Sequence, residues 1–180
     1  TIYDYFGHID ILLNNAGISM FGGVEDLTEE EWDREFDVNV KGIFLVSKYV
    51  VPIMKKQNYG KIINVSSINA KIADKNDAFI RHAYNASKSA VLGLTKGMAC
   101  SYARYGINVN AVGPGLFESA MTKDTLMKSD RFLHIYTEMC PSARVAKKGE
   151  LNGTILYFSS SACDYVQGQF IIVDGGTSIV

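Results

Sequence analysis

Short apolar runs alternate with helical patterns along this chain. Ile9-Asp10-Ile11-Leu12-Leu13-Asn14 predicts a buried strand, and Asn15-Ala16-Gly17 predicts the turn that ends it. Thr28-Glu29-Glu30-Glu31 has the form of a capping box, in which the Thr hydroxyl and the third-following Glu satisfy orphan amides reciprocally; it predicts a helix through Trp32 and Phe36. Ile43, Leu45, Val46 and Tyr49 belong to a long helix expected over Val38–Lys55. Pro52, inside it, is expected to kink or locally break it. Further strands are predicted at Lys61–Ser66, Ile107–Val112 and Phe170–Val173, the second of these closed by Gly113-Pro114-Gly115 and the third by Asp174-Gly175-Gly176. Between them fall a polar loop from Asn69 to Asp77 and a helix from about Ile80 to Tyr105, stopped by Gly106. A mixed, mobile helical segment is expected from Met121 to Met139, and another helix from Glu150 to Ser159.

Strands that are apolar on both faces and separated by helices predict an α/β fold: a parallel sheet covered on both sides. In such sheets ligands bind beyond the carboxyl ends of the strands. One rim should therefore gather Asn14 to Gly17, Ser66 and Ser67, and Gly113 to Gly115. The length of 180 residues suits one domain over 1–180. A formal net charge of −1 gives no long-range field for nucleic acid or an anionic membrane and fits a neutral, cytoplasmic protein handling small molecules. No apolar run approaches the ~20 residues of a membrane span. The first residues lack the basic-then-apolar form of a signal peptide and look like the inside of a helix. Cys100, Cys140 and Cys163 are widely spaced, with no metal-ligand pattern. No bound metal is expected, and all three are expected to be packing residues.

Candidate chemistry begins at Tyr84-Asn85-Ala86-Ser87-Lys88, which puts Tyr84 and Lys88 on one helix face. A free Tyr has a pKa of ~10. A nearby ammonium favours its phenolate and would tune it as an acid/base toward an alcohol or carbonyl oxygen. The spacing alone is common on surface helices. Ser67 follows a strand expected to neighbour this helix, and its hydroxyl could reach the same substrate oxygen. Asn39 sits in a helix interior, where Asn competes for backbone groups; a cap, a kink or a held water are the open readings.

With Asn14-Asn15-Ala16-Gly17, Asn39, Asn64-Val65-Ser66-Ser67, Tyr84-Asn85-Ala86-Ser87-Lys88, Asn110-Ala111-Val112-Gly113-Pro114-Gly115 and Val173-Asp174-Gly175-Gly176 in this order, the chain resembles the short-chain dehydrogenase/reductases in their commonest form. The resemblance covers essentially the whole chain. It implies a doubly wound, Rossmann-type parallel sheet, incomplete at the N-terminus. It further implies an NAD- or NADP-dependent oxidoreductase that transfers a hydride to or from a secondary alcohol or ketone. Tyr84 would be the acid/base. Lys88 would lower its pKa and bond the nicotinamide ribose, Ser67 would polarise the substrate oxygen, and Asn39 would hold a water in a proton relay. Asn15, Ala16 and Gly17 would lie along the adenosine end, Pro114 and Gly115 would border the nicotinamide, and Ser119 stands where the family often has a cofactor-binding Thr. Members usually pair the two long helices across a twofold, so a homo-oligomer, a dimer or tetramer, is expected.

The chain departs from that family at several points. The glycine-rich phosphate loop is absent, and with it the residue that selects NAD or NADP. The Ser67–Tyr84 interval is longer than usual. Ala70 replaces a frequent Gly, and Gln167 a common Thr. Two readings follow: a piece of a longer enzyme, or a non-catalytic truncated product that keeps the oligomer-forming helices. In the long interval, Lys71, Lys75, Arg81 and His82 oppose Asp74 and Asp77. A solvated loop of cancelling charge is the simpler expectation there, and Arg81 is the side chain best suited to a substrate carboxylate.

Overall fold

A computed structural model describes residues 2–119, 122 and 126–180. The strands are β1 (Ile11–Asn14), β2 (Gly60–Val65), β3 (Ile107–Pro114) and β4 (Phe170–Val173). They form one sheet in the order β1-β2-β3-β4 with every neighbour parallel. Ile11 lies opposite Lys61, Asn64 opposite Ala111, and Ala111 opposite Phe170. The helices are α1 (Ile2–Phe6), α2 (Glu29–Phe36), α3 (Gly42–Gln57), α4 (His82–Tyr102), α5 (Asp130–Met139) and α6 (Asn152–Ser159).

Consecutive strand residues point to opposite faces. Ile62 therefore joins a cluster with Val51, Met54, Met98, Ala99 and Val109 under α3 and α4. Ile63, the next residue, packs with Val112, Phe158 and Cys163 under α6. Each such burial contributes roughly 1.5–3 kcal/mol, and β2 and β3 are buried on both faces.

The capping box forms as expected: the Thr28 hydroxyl accepts from the Glu31 amide, and the Glu31 carboxylate accepts from the Thr28 amide. The long helix begins differently. Asp37–Lys41 is a π-helical turn, and α3 starts at Gly42. Pro52 does not break α3, which runs unbroken to Gln57. Pro52 and Lys48, whose carbonyl loses its helical donor, are both exposed, so water can take the lost hydrogen bond. Cys140 and Cys163 are buried as expected, but Cys100 is exposed. Its neighbour Ala99 faces the sheet, and the helical turn of one residue carries Cys100 outward.

The Met121–Met139 segment is helical at Leu126–Lys128 and over α5. Met121, with residues 120 and 123–125, lies outside the described residues. The loop after Ser67 is tied to α4, because Asn85 Nδ2 donates to the carbonyls of Asn69 and Ile72, both at 2.9 Å. Among the described residues no helix is long and apolar enough to cross a membrane.

Candidate active site

The carboxyl ends of β1, β2 and β3 open onto one rim, and α4 runs beneath it. Asn14 Nδ2 donates to Asn64 Oδ1, and Asn64 Nδ2 to Thr95 Oγ1, both at 2.9 Å; this pins two strand ends to α4. Ser66 Oγ donates to the Lys88 carbonyl at 2.8 Å. These buried pairs let polar residues end the strands without leaving unpaired groups. Beyond β3, Gly113 is set by close approach: a Cβ there would lie 2.3 Å from Phe170 Cζ.

Tyr84, Lys88 and Ser67 are all buried, and α4 holds the first two one turn apart. Lys88 Nζ donates to the Val65 carbonyl at 3.0 Å and lies 5.7 Å from the Tyr84 ring centre. The Arg81 guanidinium stands over the same ring at 5.4 Å. Ser67 caps a short 3₁₀ turn by accepting from the Asn69 amide. Parallel pairing of Gly22 with Arg81 fastens the loop after β1 to the start of α4.

The electrostatics depart from the sequence expectation. Burial pushes the Tyr84 phenol above its ordinary value; the Ser67 hydroxyl and Arg81 work against that rise, and Glu35 adds to it. The net shift is upward, opposite to the lowering expected beside Lys88. Its ammonium is engaged by Val65, and burial lowers its own pKa to about 8, against the opposing pull of Glu35. Desolvation disfavours the charged form of both groups, which drives a phenol up and an ammonium down.

Asn39 lies in the π-helical turn and is fully buried. Its Oδ1 accepts from the Ile18 amide at 2.8 Å. Its Nδ2 donates to the Ile18 carbonyl at 2.9 Å, Ser87 Oγ at 3.0 Å and Glu35 Oε1 at 3.3 Å. The helix departs from regular α geometry at Asn39, and its side chain clamps the loop after β1 onto α4.

Gly17 lies against this cluster. A Cβ there would sit 3.1 Å from Lys88 Nζ and 3.3 Å from Asn39 Oδ1. Asn15 and Ala16 are exposed beside it, and Pro114 and Gly115 are half-buried at the end of β3. Ser119 stands apart on an exposed loop, where its hydroxyl shares a hydrogen bond with Thr122 at 3.0 Å. The structure thus brings Gly17, Asn39, Ser67, Tyr84 and Lys88 together. These residues fit a dinucleotide: a bare glycine backbone, an ammonium whose described bond uses one of three donors, and exposed strand-end amides.

Three neighbours escaped the sequence reading. Ser87 holds Asn39, and Ser19 Oγ is buried without a partner among the described residues. Glu35 is fully buried, its Oε2 accepting from the Met20 amide at 3.2 Å. The available signal was its i,i+4 spacing from Asn39, which puts both on one helix face. Gln167, flagged only as a departure, bonds β3 through the Val109 amide and the Ile107 carbonyl.

A parallel α/β sheet with a buried Ser, Tyr and Lys at its carboxyl rim defines the class, a dinucleotide-type oxidoreductase fold. Residues 1–178 match the family model described as enoyl-(acyl carrier protein) reductase. The chain belongs to the short-chain dehydrogenase/reductase family. It is 36% identical over 173 residues to a gluconate 5-dehydrogenase of Gluconobacter oxydans, covering 96% of this chain and 66% of that protein. It is 39% identical over 174 residues to a 3-oxoacyl-[acyl-carrier-protein] reductase of Thermotoga maritima, covering 97% and 68%. The crystal structure of a gluconate 5-dehydrogenase from Burkholderia cenocepacia, in complex with NADP and tartrate, superposes with a TM-score of 0.94 at 35% identity, over 99% of this chain and 68% of that one. The chain therefore spans about two thirds of the length of the relatives it matches.

Proposed function

We propose that the protein is an NAD(P)-dependent oxidoreductase that interconverts a secondary alcohol and a ketone, with Tyr84 as its acid/base. The observation that carries this reading is the burial of Tyr84, Lys88 and Ser67 together beneath the strand ends, against a glycine that leaves the backbone bare. The nicotinamide supplies or accepts the hydride when bound. Tyr84 gives its phenolic proton to the forming alkoxide in reduction and takes it back in oxidation. Ser67 holds the same oxygen by a hydrogen bond. Lys88, fixed by Val65, would present its remaining donors to the cofactor's ribose and keep a positive charge near the phenol. Asn39 holds the loop that carries Gly17 against Lys88. Asn15, Ala16, Pro114 and Gly115 would border the cofactor, and Ser119 would contact it from the following loop.

A hydroxylated or carboxylated substrate suits the rim. Among the described residues, Ser19 Oγ and Arg81 Nε are both buried without partners, and Arg81 stands over Tyr84. Arg81 also pairs with Asp74 at 3.0 Å, which cancels part of the loop's charge as expected, with both side chains largely withdrawn from solvent. Relatives named for gluconate and 5-ketogluconate support a sugar acid. A homo-oligomer is part of the reading: Phe44, Leu45, Val46 and Tyr49 of α3 are exposed, Tyr49 to 71%, an apolar face suited to pairing with a second copy. A cytoplasmic setting fits the three free thiols.

The test is Tyr84→Phe in the full-length protein. The ring and its packing stay while the proton donor goes. Turnover should fall roughly 10²–10⁴-fold or more with NADP(H) affinity little changed. Turnover within a few-fold of the parent would overturn the assignment.

A further inference from the structure

The site contains one buried ionisable group to which the proposed chemistry gives no role. Glu35, on α2, is fully buried. Its two oxygens accept from the Asn39 side chain at 3.3 Å and the Met20 amide at 3.2 Å. Neither donor is a cation. The groups that face it can be named from every element packed on it. Helix α4 contributes Lys88 and Tyr84, and Arg81 stands just before α4. The Ile18–Met20 segment contributes the Met20 amide. In the π-helical turn, Asp37 and Lys41 are exposed and pair with each other at 2.9 Å.

We propose that Glu35 is a positioning residue of this site: from beneath Asn39 it fixes the side-chain amide that clamps Ile18 and Ser87, and its charge acts across the cluster on Lys88 and Tyr84. Two effects follow from that placement. The first is geometric. Asn39 Nδ2 is shared among Ile18, Ser87 and Glu35, and the Met20 amide fixes the other carboxylate oxygen, so Glu35 braces both ends of the segment that follows Gly17. The second is electrostatic. A negative Glu35 favours the protonated forms of Lys88 and Tyr84. Its own carboxyl is pushed up to about 7 by burial, with the Met20 hydrogen bond, Lys88, Arg81 and Asn39 pulling the other way. The site's charge therefore changes near neutral pH through a group outside the Tyr-Lys pair.

The inference rests on the proposed oxidoreductase activity, and the experiment separates the two. Glu35→Gln and Glu35→Leu are made in the full-length protein and assayed for oxidation of gluconate and simple secondary alcohols with NADP across pH 5–10. Removing the charge lowers the pKa of the groups that must lose a proton. The acid limb of kcat should therefore move to lower pH by about half a unit or more in Glu35→Gln. Glu35→Leu should show the same shift and a further loss of about tenfold in kcat at all pH, because Asn39 and Met20 lose their partner. A merely structural role would lower kcat without moving the limb. Independently of activity, carboxyl-¹³C-glutamate NMR of the cofactor-free protein should show one resonance titrating near 7 that is missing from Glu35→Gln. An active parent with superimposable pH profiles in both variants overturns the role of Glu35. So does a parent in which every glutamate titrates below about pH 5.5. An inactive parent that shows the late-titrating resonance overturns the oxidoreductase reading and supports the placement of Glu35.

Discussion

Replacing Glu35 by Gln should change how the stability of the protein depends on pH. The carboxyl titrates at about 7 in the folded state, against 4.5 as its ordinary value. A group whose folded pKa is raised contributes stability that is fully present below its unfolded pKa and is lost as pH rises through its folded pKa. The parent should therefore lose stability between about pH 4.5 and 7 through this group. Each unit of difference corresponds to about 1.4 kcal/mol, so the loss is about 3 kcal/mol. A carboxamide does not titrate in this range, so the Glu35→Gln variant has no such loss. Its altered hydrogen bonds to Met20 and Asn39 cost about 1 kcal/mol at every pH. The variant should then gain about 3 kcal/mol on the parent between pH 4.5 and 7.5. That is a relative rise in Tm of about 6–12 °C for a domain of this size. Lys88 acts in a different window. Its folded pKa is lowered to about 8, so its contribution is present above its unfolded value of 10.5 and is lost as pH falls through 8. Urea unfolding of both proteins at half-unit steps from pH 4.5 to 7.5 isolates Glu35. Curves that stay parallel within about 0.5 kcal/mol would refute the burial argument.

Two further outcomes concern the scaffold. Lys61 is buried within β2, where its ammonium donates to Asn108 Oδ1 at 2.8 Å and to the Asp164 carboxylate. Asp164→Ala should cost about 1–3 kcal/mol in urea unfolding, more than an ordinary surface pair. Gly113→Ala should destabilise by about 1–3 kcal/mol because its Cβ meets the Phe170 ring at 2.3 Å, and Phe170→Leu in the same chain should recover part of the loss in thermal unfolding.

The parts of this fold legible in the sequence are those where local pattern and tertiary environment agree. Phe170–Val173 is a strand over the expected residues, and the capping box at Thr28 starts the expected helix. Ile62 and Ile63 read as apolar because each meets its own layer of helices. The Tyr84–Lys88 spacing placed both groups correctly but misjudged their electrostatics, because spacing carries no information on desolvation. Pro52 leaves its helix unbroken and Cys100 is exposed for a shared reason: both lie on the outward face of a helix, where water repairs a lost hydrogen bond and nothing packs on a thiol. Lys61 and Glu35 were read past because a charged residue beside apolar ones normally marks a solvent face. Three of their partners, Asn108, Asp164 and the Met20 amide, come from distant segments or from backbone atoms; only Asn39 is a helical neighbour, of Glu35.

The π-helical turn explains why Glu35 and Asn39 belong to the site. The inward residues along this stretch are Glu35, Asn39, Ile43, Ser47, Val51 and Met54. At about 100° per residue, steps of four drift by about 40° each, and a regular helix would turn Val51 about 160° away from Glu35. A π-helical turn takes up one extra residue, which brings that angle back to about 60°. Gly42 donates to the Asp37 carbonyl to close the wide turn. One continuous face can then pack Val51 and Met54 on the sheet while presenting Glu35 and Asn39 to the Ile18–Met20 segment and α4. Without the extra residue, either the apolar half or the polar half of that face would leave the interior. The same insertion hides the polar pair from a search for regular helical period, so the irregularity that assembles this corner of the site also conceals it in the sequence.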